Sequence, residues 1–315
     1  MASLPQVDVV VVTYRTPDLT ASALRRLLDG DQGVDLRVLV HDNASGDDTV
    51  ERLRAEVPEA EVEVSAANLG FAAGVNAALR RSRAPWVLLL NSDAWPEPMA
   101  VRRLVDAAAA HPTAAAVAPR LVRPDGRLEH STHPFPSLGI AAVLASGVAG
   151  VAGRRARERW LLEGSWDHDR PREVPWAVGA ALLLRRQALD ELGGLDDAFF
   201  MYAEDLEWCW RAAQAGWSVW FEPTAVVRHV GNASGSVAYG ERRTEAYLHN
   251  TYRFLLDTRG PRVVRGYRWL SLVGCYRNAL SARLRGDADR AAHWRRVASA
   301  HRRAAQAHDR PDDIT

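Results

Sequence analysis

The sequence predicts an α/β protein with a mostly parallel central sheet and helices on both faces. Three observations carry that prediction: continuous β-branched runs, helical apolar spacing between them, and polar residues where the runs end. "VDVVVVTY" (7–14) is apolar on both faces, as a strand covered by helices on two sides must be. "PDLTASALRRLL" follows with Leu19, Ala23, Leu24 and Leu27 at helical spacing. The alternation continues through strands in "LRVLVHD", "AEVEVS", "PWVLLLNSD" and "AAVAP". Helices in "GDDTVERLRAEV", "GFAAGVNAALRRS" and "PEPMAVRRLVDAAAAH" separate them.

After Pro119 the pattern changes. "RLVRPDGRLEHST" reads as a hairpin around Asp125-Gly126. Residues 134–172 are poorly periodic, "VPWAVGAALLLRR" is a strand, and a helix starts near Glu204. "SVWFEP" and "AVVRHV" form a pair of strand-like runs, and from Arg242 to about His308 the chain reads as helical. The expected organisation is one domain over 1–240, with halves 1–120 and 121–240, and a basic helical extension over 241–315.

Of 315 residues, 47% are hydrophobic and 25% charged, as in a soluble globular protein. All 40 basic residues are arginine, so their number alone carries no functional weight. Their distribution does, because 241–315 holds 16 arginines against 8 acids. That stretch suits a peripheral membrane contact, a homodimer interface or a solvated helical face. Nucleic-acid binding has only this tail in its favour and is not expected. Cys209 and Cys275 are too few and too far apart for a disulfide framework, which fits a reducing cytoplasm. The N-terminus lacks the basic region of a signal peptide. Leu138 to Gly153, the longest apolar segment, falls short of the about 20 residues that span a bilayer.

In open parallel sheets, ligands bind beyond the carboxyl ends of the strands. Thr13-Tyr14, Asp42-Asn43, Asn68 and Asn91-Ser92-Asp93 all stand at such ends. Asp93 suits a hard divalent cation, which takes one or two carboxylates and fills its other positions with phosphate and water. His229 ends a later strand and reads either as a second ligand or as a hydrogen-bonded loop histidine. Mn²⁺ accepts imidazole more readily than Mg²⁺ does. Glu204 and Asp205 open a helix, where acids suit the dipole; one of them could also accept a proton from a hydroxyl. Asn68 and Gly70 precede another helix N-terminus, a place that favours anions. No G-x-G-x-x-G, P-loop, C-x-x-C or G-x-S-x-G motif occurs.

In this order and spacing, "VDVVVVTYRTPDLT", "VLVHDNASGDDT", "NLGFAAGVNAAL", "LLLNSDAWPEP", "VGAALLLRR", "GGLDDAFFMYAEDLEWCWRAAQAGW" and "VVRHVGNASG" resemble the family 2 glycosyltransferases, inverting enzymes of the GT-A fold. The similarity covers about residues 7–235 and is greatest to the rhamnosyltransferase-like branch. It implies a nucleoside-diphosphate sugar donor, dTDP-rhamnose first and a UDP-sugar next, and an acceptor that is a glycan, a lipid-linked glycan or a small molecule. It also implies a divalent metal, Mn²⁺ or Mg²⁺. Thr13 and Tyr14 would line the nucleotide pocket, with Asp42 and Asn43 at the base and Asn68 and Gly70 near ribose and pyrophosphate. Asp93 and His229 would hold the metal, with Asn91 and Ser92 beside the donor. Asp205 would be the general base and Glu204 would orient it or the acceptor. Asn91 replaces the first acid of the family's Asp-x-Asp motif, which removes a charge beside the metal. Trp160, Trp166, Trp176 and Trp208 are candidates to pack or to stack on acceptor sugars. A sugar nucleotidyltransferase or a non-enzymatic nucleotide-sugar-binding protein are the rival readings. The first lacks its Gly-rich loop here, and the second would be expected to have lost Asp93 or Asp205.

Overall fold

A computed structural model describes residues 3–148, 152–153, 155–156, 158, 166, 168–231 and 242–306. The chain divides into two compact units, Met1–His133 with Asp167–Ala238, and Pro134–Trp166 with Tyr239–Thr315.

The first unit holds the sheet. Its strands β1 (Gln6–Thr13), β2 (Asp35–Asp42), β3 (Glu61–Val64) and β4 (Trp86–Leu90) lie parallel in the order β3-β2-β1-β4. The uninterrupted valines of β1 serve both faces. Val7, Val9 and Val11 join a core with Leu24 and Leu27 of α1 (Pro17–Asp29) and Val101 and Leu104 of α4 (Ala100–Ala110). On the other face, α3 (Phe71–Arg81) approaches so closely that a Cβ at Gly74 would sit 3.0 Å from a Val12 methyl. α2 (Thr49–Glu56) links β2 to β3. The sheet therefore delivers Thr13, Asp42 and Asn91 to one edge.

Past β4 the order continues β11 (Ala181–Arg185), β6 (Ala114–Val122), β12 (Ser218–His229) and β5 (Ala94–Pro96). Only β11 and β5 run against the other six strands of this path. The hairpin at Asp125-Gly126 forms as expected, with β7 (Leu128–Glu129) folded back on β6. β8 (Thr132–His133) pairs with β10 (Trp176–Ala177), and β9 (Arg172–Val174) pairs with β12.

Two differences from the sequence reading matter for the site. "SVWFEP" and "AVVRHV" are not partners but one strand, β12, whose register shifts between Glu222 and Val226 so that it still follows β6. The short strand β5 was not anticipated; it pairs with the end of β12 and sets Ala94 opposite His229. Asp93 thereby comes to His229. α6 (Arg186–Leu192) and α7 (Glu204–Gln214) complete this unit.

In the second unit, α5 (Leu138–Ser146) precedes α8 (Arg243–Arg259), α9 (Pro261–Leu284) and α10 (Ala288–Gln306), so the helical C-terminal extension is present. Gly274 of α9 lets α5 pack against it, for a Cβ there would lie 3.3 Å from the Ala145 Cα. Arg277 fixes the pair by donating to the Ala145 carbonyl at 2.8 Å. The Tyr252 hydroxyl meets His301 Nδ1 at 2.6 Å, tying α8 to α10. Among the described residues no helix is long and apolar enough to cross a membrane.

Candidate active site

The loops at the sheet edge are held by side chains named from sequence. Thr13 is fully buried, its hydroxyl shared with Thr16 at 3.1 Å and Thr20 at 2.8 Å, so it braces the first loop from beneath. Tyr14 is half-buried, with the Arg15 guanidinium over its ring at 5.1 Å. The Asp42 carboxylate accepts from the Ser45 amide at 3.0 Å and its hydroxyl at 2.5 Å, and Ser45 accepts from the Arg15 amide at 2.9 Å. Arg15 and Ala44 adopt φ of 53° and 60°, left-handed values that cost free energy in residues other than glycine. Asn43 clamps the next loop, donating to the Gly70 carbonyl at 2.9 Å and accepting from Leu69 at 3.1 Å. The Asn68 side chain accepts from the Gly70 amide at 3.0 Å. Gly70 itself has φ +85°, and the space a Cβ would need is filled by the Phe200 carbonyl, which also accepts from the Phe71 amide at 2.6 Å.

Asp93 and His229 meet in a buried cluster, with His229 Nε2 3.3 Å from an Asp93 carboxylate oxygen. The Asn91 amide stands 3.3 Å from the same Nε2, and Ser92 is buried between them in sequence, with Thr16 donating to it at 3.4 Å. On the other side of the ring, Nδ1 lies 3.0 Å from a Glu129 carboxylate oxygen. Burial disfavours the imidazolium, but the hydrogen bonds to Asp93 and Glu129 outweigh it and raise the ring to about 9. Sequence reasoning missed Glu129. It stands in the two-residue strand β7, and nothing in its spacing marks it as His229's neighbour. Among the described residues no three His, Cys, Asp or Glu side chains converge as a metal cluster. A carboxylate and an imidazole nitrogen nonetheless suit a borderline cation such as Mn²⁺, with phosphate oxygens left to complete the shell.

Glu204 and Asp205 open α7 after Tyr202 and Ala203, whose φ values of 75° and 71° are again left-handed. That strained entry turns the first helical turn inward. The Asp205 carboxylate accepts from the Gly179 amide at 2.8 Å and from Leu206 at 2.7 Å. Glu204 is 5% exposed, and one of its carboxylate oxygens is buried with no hydrogen-bond partner among the described residues. Burial, reinforced by the Asp205 charge, raises the Glu204 carboxyl well above the ordinary range. Burial raises Asp205 too, against the hydrogen bonds from Gly179 and Leu206. Both carboxyls of the pair are therefore raised by burial, and Asp205 keeps two backbone amide donors, Gly179 and Leu206.

The segment between β10 and β11 joins the two clusters, and it too was missed. Gly179 donates to Asp205, and the next residue, Ala180, accepts from the Asn91 backbone N–H at 2.9 Å. The sequence showed "VPWAVGAALLLRR" as one strand. It breaks at 178–180, and those peptide groups turn to the two acid-bearing loops.

The tryptophan expectations fare differently. Trp208 is 1% exposed and donates its indole N–H to the Gly193 carbonyl at 3.0 Å, so it has no face to offer a sugar. It lies on the inner stripe of α7, where a core position and an acceptor position share the same helical spacing. Trp176 is 5% exposed and stacked on His133 with ring centroids 4.7 Å apart. Trp166 is 3% exposed, and Trp160 lies outside the described residues.

The mostly parallel sheet thus carries the Asp93–His229 pair at one edge, and the Glu204–Asp205 pair stands at the start of α7. A model of the family "Glycosyl transferase family 2" matches residues 8–193. The chain is 31% identical over 235 residues to the N-acetylglucosaminyl-diphospho-decaprenol L-rhamnosyltransferase of Mycobacterium tuberculosis, covering 70% of this chain and 74% of that one. It is 30% identical over 234 residues to a pre-mycofactocin glycosyltransferase of the same species, covering 70% of this chain and 42% of that one. A mannosyltransferase of Pyrobaculum calidifontis, solved with GDP-Man and Mn²⁺, shares its fold at a TM-score of 0.60 and 18% identity, over 99% of this chain and 89% of that one. This chain belongs to glycosyl transferase family 2 and is a glycosyltransferase of the GT-A fold.

Proposed function

We propose that this glycosyltransferase transfers a sugar from a nucleoside-diphosphate donor, dTDP-rhamnose first and a UDP-sugar next, to a hydroxyl of a lipid-linked glycan, with inversion. The rhamnosyltransferase relative, whose name specifies a diphospho-decaprenol-linked sugar, supports that donor and acceptor class over free glycans and small molecules. The observation that carries the reading is the link through Gly179 and Ala180, neighbouring residues that hydrogen-bond to the Asp205 carboxylate and to the Asn91 backbone N–H. One in-line displacement needs its base and its leaving-group site held in a fixed relation.

In this reading Asp205 accepts the acceptor's hydroxyl proton as the oxygen attacks the anomeric carbon. The Gly179 and Leu206 amides hold the carboxylate in place. Glu204, whose carboxyl burial raises well above the ordinary range, orients Asp205 or the acceptor. Asp93 and His229 would hold a divalent cation, Mn²⁺ or Mg²⁺, which supplies positive charge opposite the departing diphosphate. Asn91 and Ser92 lie beside the donor. Tyr14, Asp42 and Asn43 shape the nucleotide pocket, with Thr13 bracing it from below and Asn68 and Gly70 setting the loop near ribose and pyrophosphate. Rigid alignment of donor and acceptor supplies much of the remaining rate enhancement.

Thermal unfolding with dTDP, UDP and GDP, each with and without Mn²⁺, tests the donor site. A ligand at ~100 times its dissociation constant adds about 2.7 kcal/mol of stability. A metal-dependent shift with dTDP is the expected result. A metal-independent shift removes the roles of Asp93 and His229, and no shift with any nucleotide removes the nucleotide-sugar reading.

A further inference from the structure

Among the described residues, ten of the sixteen exposed large apolar side chains belong to the second unit, and five of them form one stripe. Trp269, Val273, Tyr276, Leu280 and Leu284 follow one another at intervals of three or four along α9. That spacing puts them on one helix face, over about 22 Å at 1.5 Å per residue. Trp269 is 65% exposed and Leu284 79%, values a packed helix face does not show.

Charge says what covers the stripe. α9 contains five arginines and no acid. Arg268 and Arg277 are half-buried, but Arg262 and Arg265 are exposed at the start of the helix, and Arg283 and Arg285 at its end. The apolar stripe is thus bracketed by exposed cations at both ends. The adjacent helix α5 carries no charged residue and exposes Leu138 and Leu144, with Val148 just beyond its end. Arg277 ties it to α9 by donating to the Ala145 carbonyl.

We infer that the α9–α5 face docks on a membrane surface with anionic headgroups, lying in the plane of the interface. The apolar side chains enter the acyl boundary while the arginines meet lipid phosphates, the usual division of labour in an interfacial helix. Trp269 and Tyr276 are the residue types that settle at headgroup depth. A second copy of the chain is the poorer partner. An isologous contact on this helix would press arginines against arginines with no acid on α9 to answer them. The inference does not rest on the identity of donor or acceptor.

The test is flotation of the full chain with phosphatidylcholine vesicles, with and without phosphatidylglycerol, at low and high salt. The wild type floats with the anionic vesicles and weakly or not at all with the neutral ones. Trp269→Ser with Leu280→Ser lowers partitioning at least roughly tenfold, because both residues lose apolar burial. Arg262→Gln with Arg283→Gln, which leaves the apolar stripe intact, lowers it about fivefold per arginine and weakens its salt dependence. The nucleotide-induced thermal shift stays as in wild type for both variants, which separates lost docking from lost fold. Equal binding to neutral and anionic vesicles, or no binding to either, overturns the inference. So does a concentration-dependent dimer that Leu280→Ser disperses while vesicle binding is untouched.

Discussion

His229 Nδ1 lies 3.0 Å from Glu129, and its Nε2 faces Asp93 at 3.3 Å, so the imidazole bridges two carboxylates inside the site. A cation held by Nε2 and Asp93 requires a ring whose proton sits on Nδ1, and Glu129 is the acceptor that keeps it there. In the proposed site Glu129 would act as a positioning residue, the outer carboxylate behind a histidine ligand. Glu129→Gln is expected to weaken Mn²⁺ affinity roughly 10- to 100-fold, measured by titration calorimetry in the presence of dTDP. The imidazole ¹⁵N shifts of His229 should show the tautomer preference relaxed. Unchanged affinity with unchanged shifts removes the role.

The two acids at the start of α7 separate by substitution. Asp205→Asn keeps the shape but cannot take a proton, so kcat should fall by roughly 10²- to 10⁴-fold. The nucleotide-induced thermal shift should persist. Glu204→Gln keeps the shape without a charge and should retain far more activity than Asp205→Asn. Loss of donor affinity in Asp205→Asn would instead point to a structural role.

The rate should also report the raised Asp205. Its folded pKa lies above the ordinary aspartate value because burial disfavours the carboxylate. The base form is present above that raised pKa and is lost as pH falls through it. The acid limb of kcat/KM against pH should therefore turn above about 4, the value for a free aspartate. A limb at or below that value would mean that Asp205 does not bear the proton in the reaction.

Much of this was legible because β-branched runs and helix periods are local. β1 to β4 and α1 to α4 follow from spacing alone, and with them the edge where Thr13, Asp42 and Asn91 stand. What was not legible depends on partners distant in sequence. β5 is three residues long and exists because the end of β12 pairs with it. Glu129 reaches His229 across 100 positions of sequence, through a hairpin whose turn was readable while its side-chain direction was not. Trp208 misled because the stripe that buries a helix also spaces the residues that could line a cleft. Gly179 was hidden inside an apolar run, and its amide acquires meaning only once Asp205 accepts from it.

Gly70 offers a test of how the 68–71 loop is built. At φ +85° an alanine is strained, and its Cβ would run into the Phe200 carbonyl. Gly70→Ala should cost at least about 2 kcal/mol, the strain plus the displacement of that carbonyl. A thermal melt checks it. Because the 68–71 loop and the turn before Glu204 meet at Phe200, transfer activity should fall together with stability. A variant as stable as wild type would show that the loop relaxes freely and that the contact with Phe200 is incidental.

His301 gives the second unit a pH dependence of its own. It is 6% exposed, and burial, helped by the Arg268 charge, lowers its pKa to about 4. Neutral, its Nδ1 accepts from the Tyr252 hydroxyl; protonated, it cannot. The folded pKa lies below the unfolded value of about 6.5, so the unfolded chain binds this proton first as pH falls. The stabilisation is complete above pH ~6.5 and is lost progressively toward pH ~4, up to about 3 kcal/mol. Amide exchange across Tyr247–Phe254 and Ala298–Arg303 should therefore quicken between pH 6.5 and 4.5, after correction for the intrinsic rate. His301→Gln keeps an acceptor for Tyr252 but cannot titrate, so its exchange should lose most of that extra acid sensitivity. If the variant and the wild type show the same acid slope, the proton is taken up elsewhere and the Tyr252–His301 contact is not the acid-labile joint of α8 and α10.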